Sequence, residues 1–352
     1  MAIADVTVLG AGIFGLSIAW ACTLRGAQVR VIDPGGVGAG ASGGVIGAMA
    51  PHTPENWNAK KQLQFDSLLM AERWWQKISA ETSLDPGYAR LGRVQAVTDD
   101  RALALAQARS DGAEEHWQGK ANWYVVPDSE FAGWLAPTLT GFAIHDTLSA
   151  RLHPRKACAA MASALASRGT VFAKEASPEG YVIEATGVAG LNELSDAFGA
   201  TVGNGVKGQG AVLSYDARTR PQLFLEGLHI VPHNNGTVAV GSTSERDYAQ
   251  PQDTDKQLDE LLEKARALVP ALAHAPVVEK WAGERPRARS RAPMLGRHPL
   301  RPERFVANGG FKIGFGIAPA VAEMIATLVL DGKDQIPDAF RPEASLPKGR
   351  PE

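Results

Sequence analysis

A strand–helix–strand unit with a glycine turn at its first corner leaves few folds open, and residues 6–33, VTVLGAGIFGLSIAWACTLRGAQVRVID, read as such a unit. Val6, Val8 and Leu9 suit a short buried strand. Gly10, Ala11, Gly12, Ile13, Phe14 and Gly15 make a G-x-G-x-x-G turn. Leu16 to Arg25 continue as a helix that Gly26 stops, and Val29 to Ile32 form a second, parallel strand. In this pattern the first glycine makes the turn, the second lets backbone approach a pyrophosphate, and the third lets the helix pack on the strand. The helix N-terminus adds free N–H groups and a partial positive charge. Asp33 closes the unit where an acid can accept a hydrogen bond from an adenosine ribose. Val6 to Leu24 carry no charge, but three glycines and a length at the lower limit for a bilayer argue against a span. No basic region precedes them, as a signal peptide would require.

The remaining composition narrows the classes further. A chain of 352 residues with 45% hydrophobic content can bury a large core and suggests two domains, or one with an insertion. A net charge of −2 gives no general pull toward nucleic acid or anionic membrane. Cys22 and Cys158 lie far apart without metal-ligand spacing, so they read as buried structural thiols, no metal is expected, and the chain reads as cytoplasmic.

After Asp33, Pro34 to Gly47 hold seven glycines in one loop, PGGVGAGASGGVIG. Such a run can wrap backbone around an extended ligand, with the Ser42 hydroxyl as a phosphate donor. A helix is expected over Asn58–Thr82, a strand over Tyr88–Thr98, a short helix over Ala102–Arg109 and a loop-rich stretch over 117–143. That middle part lacks a parallel α/β rhythm and reads as a separate antiparallel domain. The rhythm returns with a helix from His153 to Arg168 and strands over Val171–Lys174 and Tyr181–Gly187, so the nucleotide domain is discontinuous. Strands follow over Ala211–Ser214, His229–Pro232 and Thr237–Gly241, then a helix over Asp255–Leu268. In 281–299, WAGERPRARSRAPMLGRHP, Arg285, Arg287, Arg289 and Arg291 alternate and would share one side of an extended chain, reading mostly as a solvated basic edge. A strand over Phe305–Ala307, a second glycine turn over Asn308–Gly316 and a closing helix over Ile317–Leu330 repeat the opening device.

Four segments in this order resemble the FAD-dependent D-amino-acid oxidase superfamily, and within it the glycine oxidase branch. They are VTVLGAGIFGLSIAW with Asp33, GASGGVIGAMAPH, YVIEATG, and ERPRARSRAPMLGRHP followed by GGFKIGFGIAP. HIVPH with TVAVGSTSE resembles the paired strands of that family's substrate domain. The resemblance implies an α/β chain, α+β overall. A Rossmann-like FAD-binding domain (1–86, 145–205 and 282–345) would carry an inserted, mainly antiparallel substrate domain (87–144 and 206–281), with a flexible tail at 346–352. It further implies one FAD. The adenosine end would lie at Gly10 to Gly15, Asp33 and Pro34, with Ala176 as a further contact. Ser42, Gly43, Gly44, Ile46, Ala48 and Met49 would line the pyrophosphate, ribityl and flavin edge, and Thr186 and Gly187 the diphosphate. Gly310, Phe311, Lys312, Ile313, Gly314, Phe315 and Gly316 would sit against the flavin, where a helix N-terminus can stabilise charge at N1. No cysteine lies where relatives attach flavin covalently, so the FAD is expected to be non-covalent.

The same resemblance places Arg285 on a substrate carboxylate, a bidentate fit that lysine reproduces poorly. Lys312 stands where glycine oxidases have arginine, and sarcosine oxidases a carboxylate-binding lysine. His229 stands where glycine oxidases have a carboxylate-holding tyrosine; a histidine there would titrate near neutrality. His52 and His229 are the candidate bases. The expected activity is oxidation of glycine, sarcosine or a small D-amino acid by hydride transfer to flavin N5. The imine then hydrolyses, and reoxidation by dioxygen gives peroxide. A flavin dehydrogenase for a 2-hydroxy acid or polyol, with another electron acceptor, stays open, as do a redox-sensing nucleotide binder and a homo-oligomer. Departures at His229, Lys312 and the RARSR run point to a substrate bulkier or more acidic than glycine.

Overall fold

Two sheets divide the chain, which the computed structural model describes over residues 4–347. In the first, Val6–Leu9 runs parallel to Val29–Ile32, with helix Ile13–Leu24 crossing between them. Tyr181–Glu184 and then Phe305–Asn308 extend the sheet in parallel on one side, and Val171–Ala173 on the other. Met294–Arg297 adds an antiparallel edge strand. The glycine turn sets how closely helix and strand approach. Gly10 has φ +108°, and a Cβ on it would lie 2.3 Å from the Ala185 carbonyl oxygen. A Cβ on Gly15 would lie 1.9 Å from the Gly10 carbonyl oxygen.

Helix Ile13–Leu24 is apolar on every side and buried from Ile13 to Cys22. It packs against Gly314–Asp331 and Pro154–Ser167, while Ala59–Thr82 covers Gly314–Asp331 from another side. Phe311–Asp331 is the one helical stretch among the described residues long and apolar enough to cross a membrane; most of it is buried in this core. Trp20, Trp75 and Trp117 are fully buried.

The second sheet has eight strands in the order Val277–Ala288, Gly203–Ser214, Thr237–Gly241, Leu228–Pro232, Gln222–Leu225, Arg93–Ala96, Phe142–Asp146, Trp123–Pro127. All neighbours are antiparallel except Arg93–Ala96 beside Gln222–Leu225. Side chains alternate across a strand, so its register fixes two faces. Val94, Leu213, Leu223, Ile230, Val238 and Val240 share one face with Leu258, Leu261, Leu262 and Ala265 of helix Lys256–Leu268. Asp255 caps that helix by accepting from Gln257 N–H at 2.9 Å. The other face carries Arg93, Phe224, His229, Gly241, Gly210, Gly208 and Arg285 in a band across the strands.

Several elements differ from the sequence pattern. The strand expected over Tyr88–Thr98 is only Arg93–Ala96, because Gly92 turns the chain at φ +80°. The helix expected over Ala102–Arg109 runs Asp100–Trp117; its weak formers Ser110, Asp111 and Gly112 stay helical because Ala113 and Trp117 behind them are buried. Helix Gly187–Ala197 and strand Gln222–Leu225 are additional, and Trp123–Pro127 is a strand within the stretch expected to be loop-rich. The strand expected from Ala211 begins at Gly203, its glycine-rich half held by pairing with Val277–Ala288. The four alternating arginines do not share one side. The strand ends at Ala288, whose carbonyl accepts from Arg291 N–H in a turn, so only Arg285 and Arg287 alternate within it. Residues 348–352 of the expected tail lie outside the described residues, while Leu346 packs against the small cluster that includes Leu194 and Met294.

Gly15→Ala tests the close approach. The added carbon meets backbone, so the chain should lose about 1–3 kcal/mol or more, as overpacking does, seen as a lower urea midpoint. Gly316→Ala, whose Cβ would meet Leu68 at an ordinary 3.6 Å, should stay near the wild-type midpoint.

Candidate active site

Nucleotides bind beyond the carboxyl ends of parallel strands, where loops diverge. A cavity of about 1530 Å³ occupies that position and continues to the charged face of the second sheet. Gly10, Gly12, Ile13, Phe14, Asp33 and Pro34 line one end; Ser42, Gly43, Gly44, Ile46 and Ala48 follow, with Thr186 and Gly187 opposite. Gly310, Phe311, Lys312, Gly314 and Phe315 also line it, where a single 3-10 turn, Phe311–Ile313, leads into helix Gly314–Asp331. Ala11, Gly15, Met49, Ile313 and Gly316 are not part of the lining, and Ala176 is exposed beyond Val171–Ala173.

Local hydrogen bonds orient the nucleotide end. Asp33 Oδ2 accepts from Ala11 N–H at 2.7 Å and Oδ1 from Gly35 N–H at 2.9 Å, which fixes the carboxylate and leaves lone pairs for a ribose. Ser42 is buried, and its Oγ accepts from Ile13 N–H at 2.9 Å, so it caps the first helix while its own proton stays available. A Cβ on Gly12 would approach only that Oγ, at 3.3 Å. The protein leaves this space clear of its own backbone. A long cavity onto which two helix N-termini open, with an oriented acid and an open glycine at the turn, fits an FAD.

Gly208, Gly210 and Gly241 keep the centre of the second sheet's charged face low. A Cβ on Gly241 would lie 2.1 Å from Ile46 Cδ1, and one on Gly208 only 1.8 Å from Arg285 Nη1. The Arg285 guanidinium therefore lies flat over the neighbouring strand. Its Nη2 donates to Ser242 Oγ at 2.7 Å, and Nη1 is buried with no partner among the described residues. Burial lowers its pKa to about 10 against the pull of Glu245, so it stays cationic at neutral pH. Glu245 belongs to a polar network behind the arginine: Gln209 Nε2 donates to it at 3.0 Å, and Lys207 Nζ lies 3.5 Å away.

The other candidates divide. His229 neighbours Phe224, its ring centroid 4.7 Å away, and its Nδ1 is buried without a partner. Burial first, then Arg93, Lys312 and Arg285, push its pKa down to about 3. It is therefore neutral rather than titrating near neutrality as the sequence suggests. Lys312 is exposed at the cavity wall, over the Phe311 ring, and burial with Arg285 and Arg287 lowers its pKa. The His52 backbone N–H donates to Gln64 Oε1 at 2.7 Å, and its Nδ1 contacts the same oxygen. Burial lowers the His52 pKa, the Gln64 contact opposing. Neither His52 nor His229 lines the main cavity. Arg289 and Arg291 are exposed beyond the strand, and the Arg287 guanidinium lies 5.3 Å from the centre of the Phe311 ring.

Sequence reasoning misses Arg93, Arg155, Ser242 and Trp281. Arg155 Nε donates to Gly43 O at 2.7 Å, and Arg155 and Trp281 line the cavity. Arg93 alone leaves a sequence signal, the one charge in the mostly apolar segment LGRVQAV.

This architecture and site define a dinucleotide-dependent oxidoreductase. The chain belongs to the family of FAD dependent oxidoreductases (DAO), whose model matches residues 5–328. It is 26% identical to a glycine oxidase of Geobacillus kaustophilus over 92% of each chain. It is 29% identical to a putative thiamine biosynthesis oxidoreductase, ThiO, of Rhizobium etli, over 94% of this chain and 98% of that one. The fold is shared with the G. kaustophilus glycine oxidase structure (TM-score 0.81, 21% identity, 98% and 99% covered). It is shared also with iminodiacetate oxidase of Chelativorans sp. BNC1 (TM-score 0.82, 21% identity, 96% and 98% covered).

Gly12→Val should fold, because only Ser42 Oγ is near, yet purify colourless, since the side chain enters phosphate space. Absorbance near the flavin bands against circular dichroism checks both halves. His229 and His233, each with a folded pKa of about 3, set a pH dependence. Their folded values lie below the unfolded 6.5, so the stability they contribute is complete above pH 6.5 and lost as pH falls toward 3. The slope is up to about 1.4 kcal/mol per pH unit for each histidine. Urea midpoints from pH 7 to pH 4 should fall, and less steeply in His229→Asn/His233→Gln.

Proposed function

We propose that the protein oxidises a small amine bearing a carboxylate, glycine, sarcosine or a D-amino acid, with a non-covalently held FAD. The observation that carries this is Arg285: a buried guanidinium with an unpartnered Nη1, set on the wall of the same cavity that the nucleotide motifs line. An arginine so placed is complementary to a carboxylate. The unit around the six-stranded sheet would hold the cofactor and the eight-stranded sheet the substrate.

Within that reading, FAD supplies the two-electron acceptor. Arg285 binds the carboxylate and fixes the α-carbon, so positioning contributes much of the acceleration. His229, neutral and outside the cavity lining, is too weakly basic to take a proton from an ammonium at neutral pH. The amine therefore has to reach the site neutral, or lose its proton to water. Lys312 at the cavity wall adds positive potential that favours an anionic substrate. Cys158 also lines the cavity, but burial pushes its thiol up to about 12, which leaves it unsuited to attack a flavin. The relatives named glycine oxidase and ThiO support an amine rather than a 2-hydroxy acid.

The purified protein should be yellow, release intact FAD on acid or heat denaturation, bleach with amine in the absence of oxygen, and form peroxide in air. Arg285→Ala should keep its flavin and lose roughly 2–5 kcal/mol of transition-state binding, a drop in kcat/KM of about two to three orders of magnitude or more. Arg289→Ala, exposed and outside the strand, should change little. Equal losses in both variants would mean that the arginine segment is structural.

A further inference from the structure

Arg93 is the unexplained charge on the face that carries Arg285. It is only 6% exposed, so its charge is nearly removed from water. A buried arginine serving structure alone usually meets its carboxylate through both arms of the guanidinium fork. Here only Nε does so, donating to Asp146 Oδ2 at 2.9 Å. The second Asp146 oxygen, Oδ1, is taken by Ser149 N–H at 2.8 Å. Neither Nη of Arg93 has an acceptor among the described residues, and neither is sealed from solvent. Asp146 thus holds the base of the fork and leaves its two arms free.

The sheet register says where those arms lie. Arg93 pairs with Gln222, and its guanidinium sits 5.8 Å from the centre of the Phe224 ring, over the next strand. Phe224 pairs with His229, and His229 with Gly241. Gly241 pairs with Gly210, on the strand where Arg285 overlies Gly208. The two guanidinium groups therefore cover strands three positions apart, with neutral His229 between them. At about 4.8 Å per strand, with Gly208 two residues along from Gly210, that is on the order of 16 Å over a flat sheet, less on a curved one. A charge-assisted arginine–carboxylate pair takes up about 4 Å, carbon to carbon, at each end. The gap left is at most about 8 Å.

Accepting that Arg285 holds the first carboxylate, as proposed above, we propose that Arg93 holds a second. The substrate is then an amine with two carboxylate carbons four or more bonds apart, as in a glutamate or an N-carboxymethyl amino acid. Arg93, Arg285 and Lys312 surround a histidine that carries no charge, and Asp146 is committed to Arg93 and Ser149. A dianion balances this site better than glycine would.

Iminodiacetate and N-ethylglycine make the test, because they share a backbone and differ in the second carboxylate. With the flavin-loaded wild-type enzyme, kcat/KM from anaerobic bleaching should be at least tenfold higher for iminodiacetate. Because Arg93→Ala would strand the Asp146 charge and endanger folding, the test variant is Arg93→Gln/Asp146→Asn, checked for flavin content and melting temperature. Its iminodiacetate-to-N-ethylglycine ratio should fall at least tenfold, and Arg93→Lys should recover part of it. A merely structural Arg93 would lower both substrates together and leave the ratio unchanged, which overturns the proposal. So does a wild-type enzyme that prefers N-ethylglycine, or a double variant too unstable to hold flavin alongside an Arg93→Lys enzyme of unaltered ratio. If no amine bleaches the flavin, the amine-oxidase reading falls and this inference with it. If amines bleach it but the ratio is flat, only the second carboxylate site is lost.

Discussion

The close approach of the first helix to the first strand is the constraint on which the rest depends. Gly15 lies over the Gly10 carbonyl with no room for a methyl group, and Gly10 turns beneath the Ala185 carbonyl at a φ that side chains avoid. That contact aims the N-terminus of helix Ile13–Leu24 at the cavity and lets Asp33 reach back to Ala11 N–H. It also sets the depth at which Gly314–Asp331 and Ala59–Thr82 can pack, so the large apolar core is built outward from two glycines.

The second sheet solves a different problem, because one sheet must both close a core and present charge. Period-two alternation separates the tasks. Valines and leucines face helix Lys256–Leu268, and the arginines and His229 lie on the opposite face, where Arg285 lines the cavity. Glycines in the middle strands are what let the charged face work. Gly241 and Gly210 admit Ile46 from the glycine-rich loop after Asp33, and Gly208 admits a guanidinium laid across its strand. A strand so rich in glycine would be weak alone; here it pairs along almost its whole length with Val277–Ala288.

Electrostatics inside the pocket follow from that arrangement. Burial raises the cost of any positive charge there, and neighbouring cations add to it at His229 and Lys312, so His229 is neutral while Arg285 and Lys312 have lowered pKa values. The cost is offset locally by carboxylates outside the pocket proper, Asp146 against Arg93 and Glu245 near Arg285. The pocket keeps positive potential and unfilled donors, the state a carboxylate-bearing ligand relieves.

The sequence by itself determined the nucleotide unit, because its signals are local: a glycine spacing, an apolar helix and a terminal acid within one short segment. It likewise marked Asn58–Thr82 and the second glycine turn, where capping and periodicity act over neighbouring residues. Long-range pairing decided the rest. The half-strand Gly203–Gly210 looks like a loop until Val277–Ala288 lies beside it, and Arg285 is set apart from Arg289 and Arg291 only because that strand stops at Ala288. His229 reads as an ordinary titrating histidine until the fold buries it, with three cations from separate segments nearby. Arg93 is one charge in an apolar strand until register places it on the same face as Arg285, some 190 residues further along the chain. Alternation says that a residue has a face, but only the assembled sheet says what that face meets.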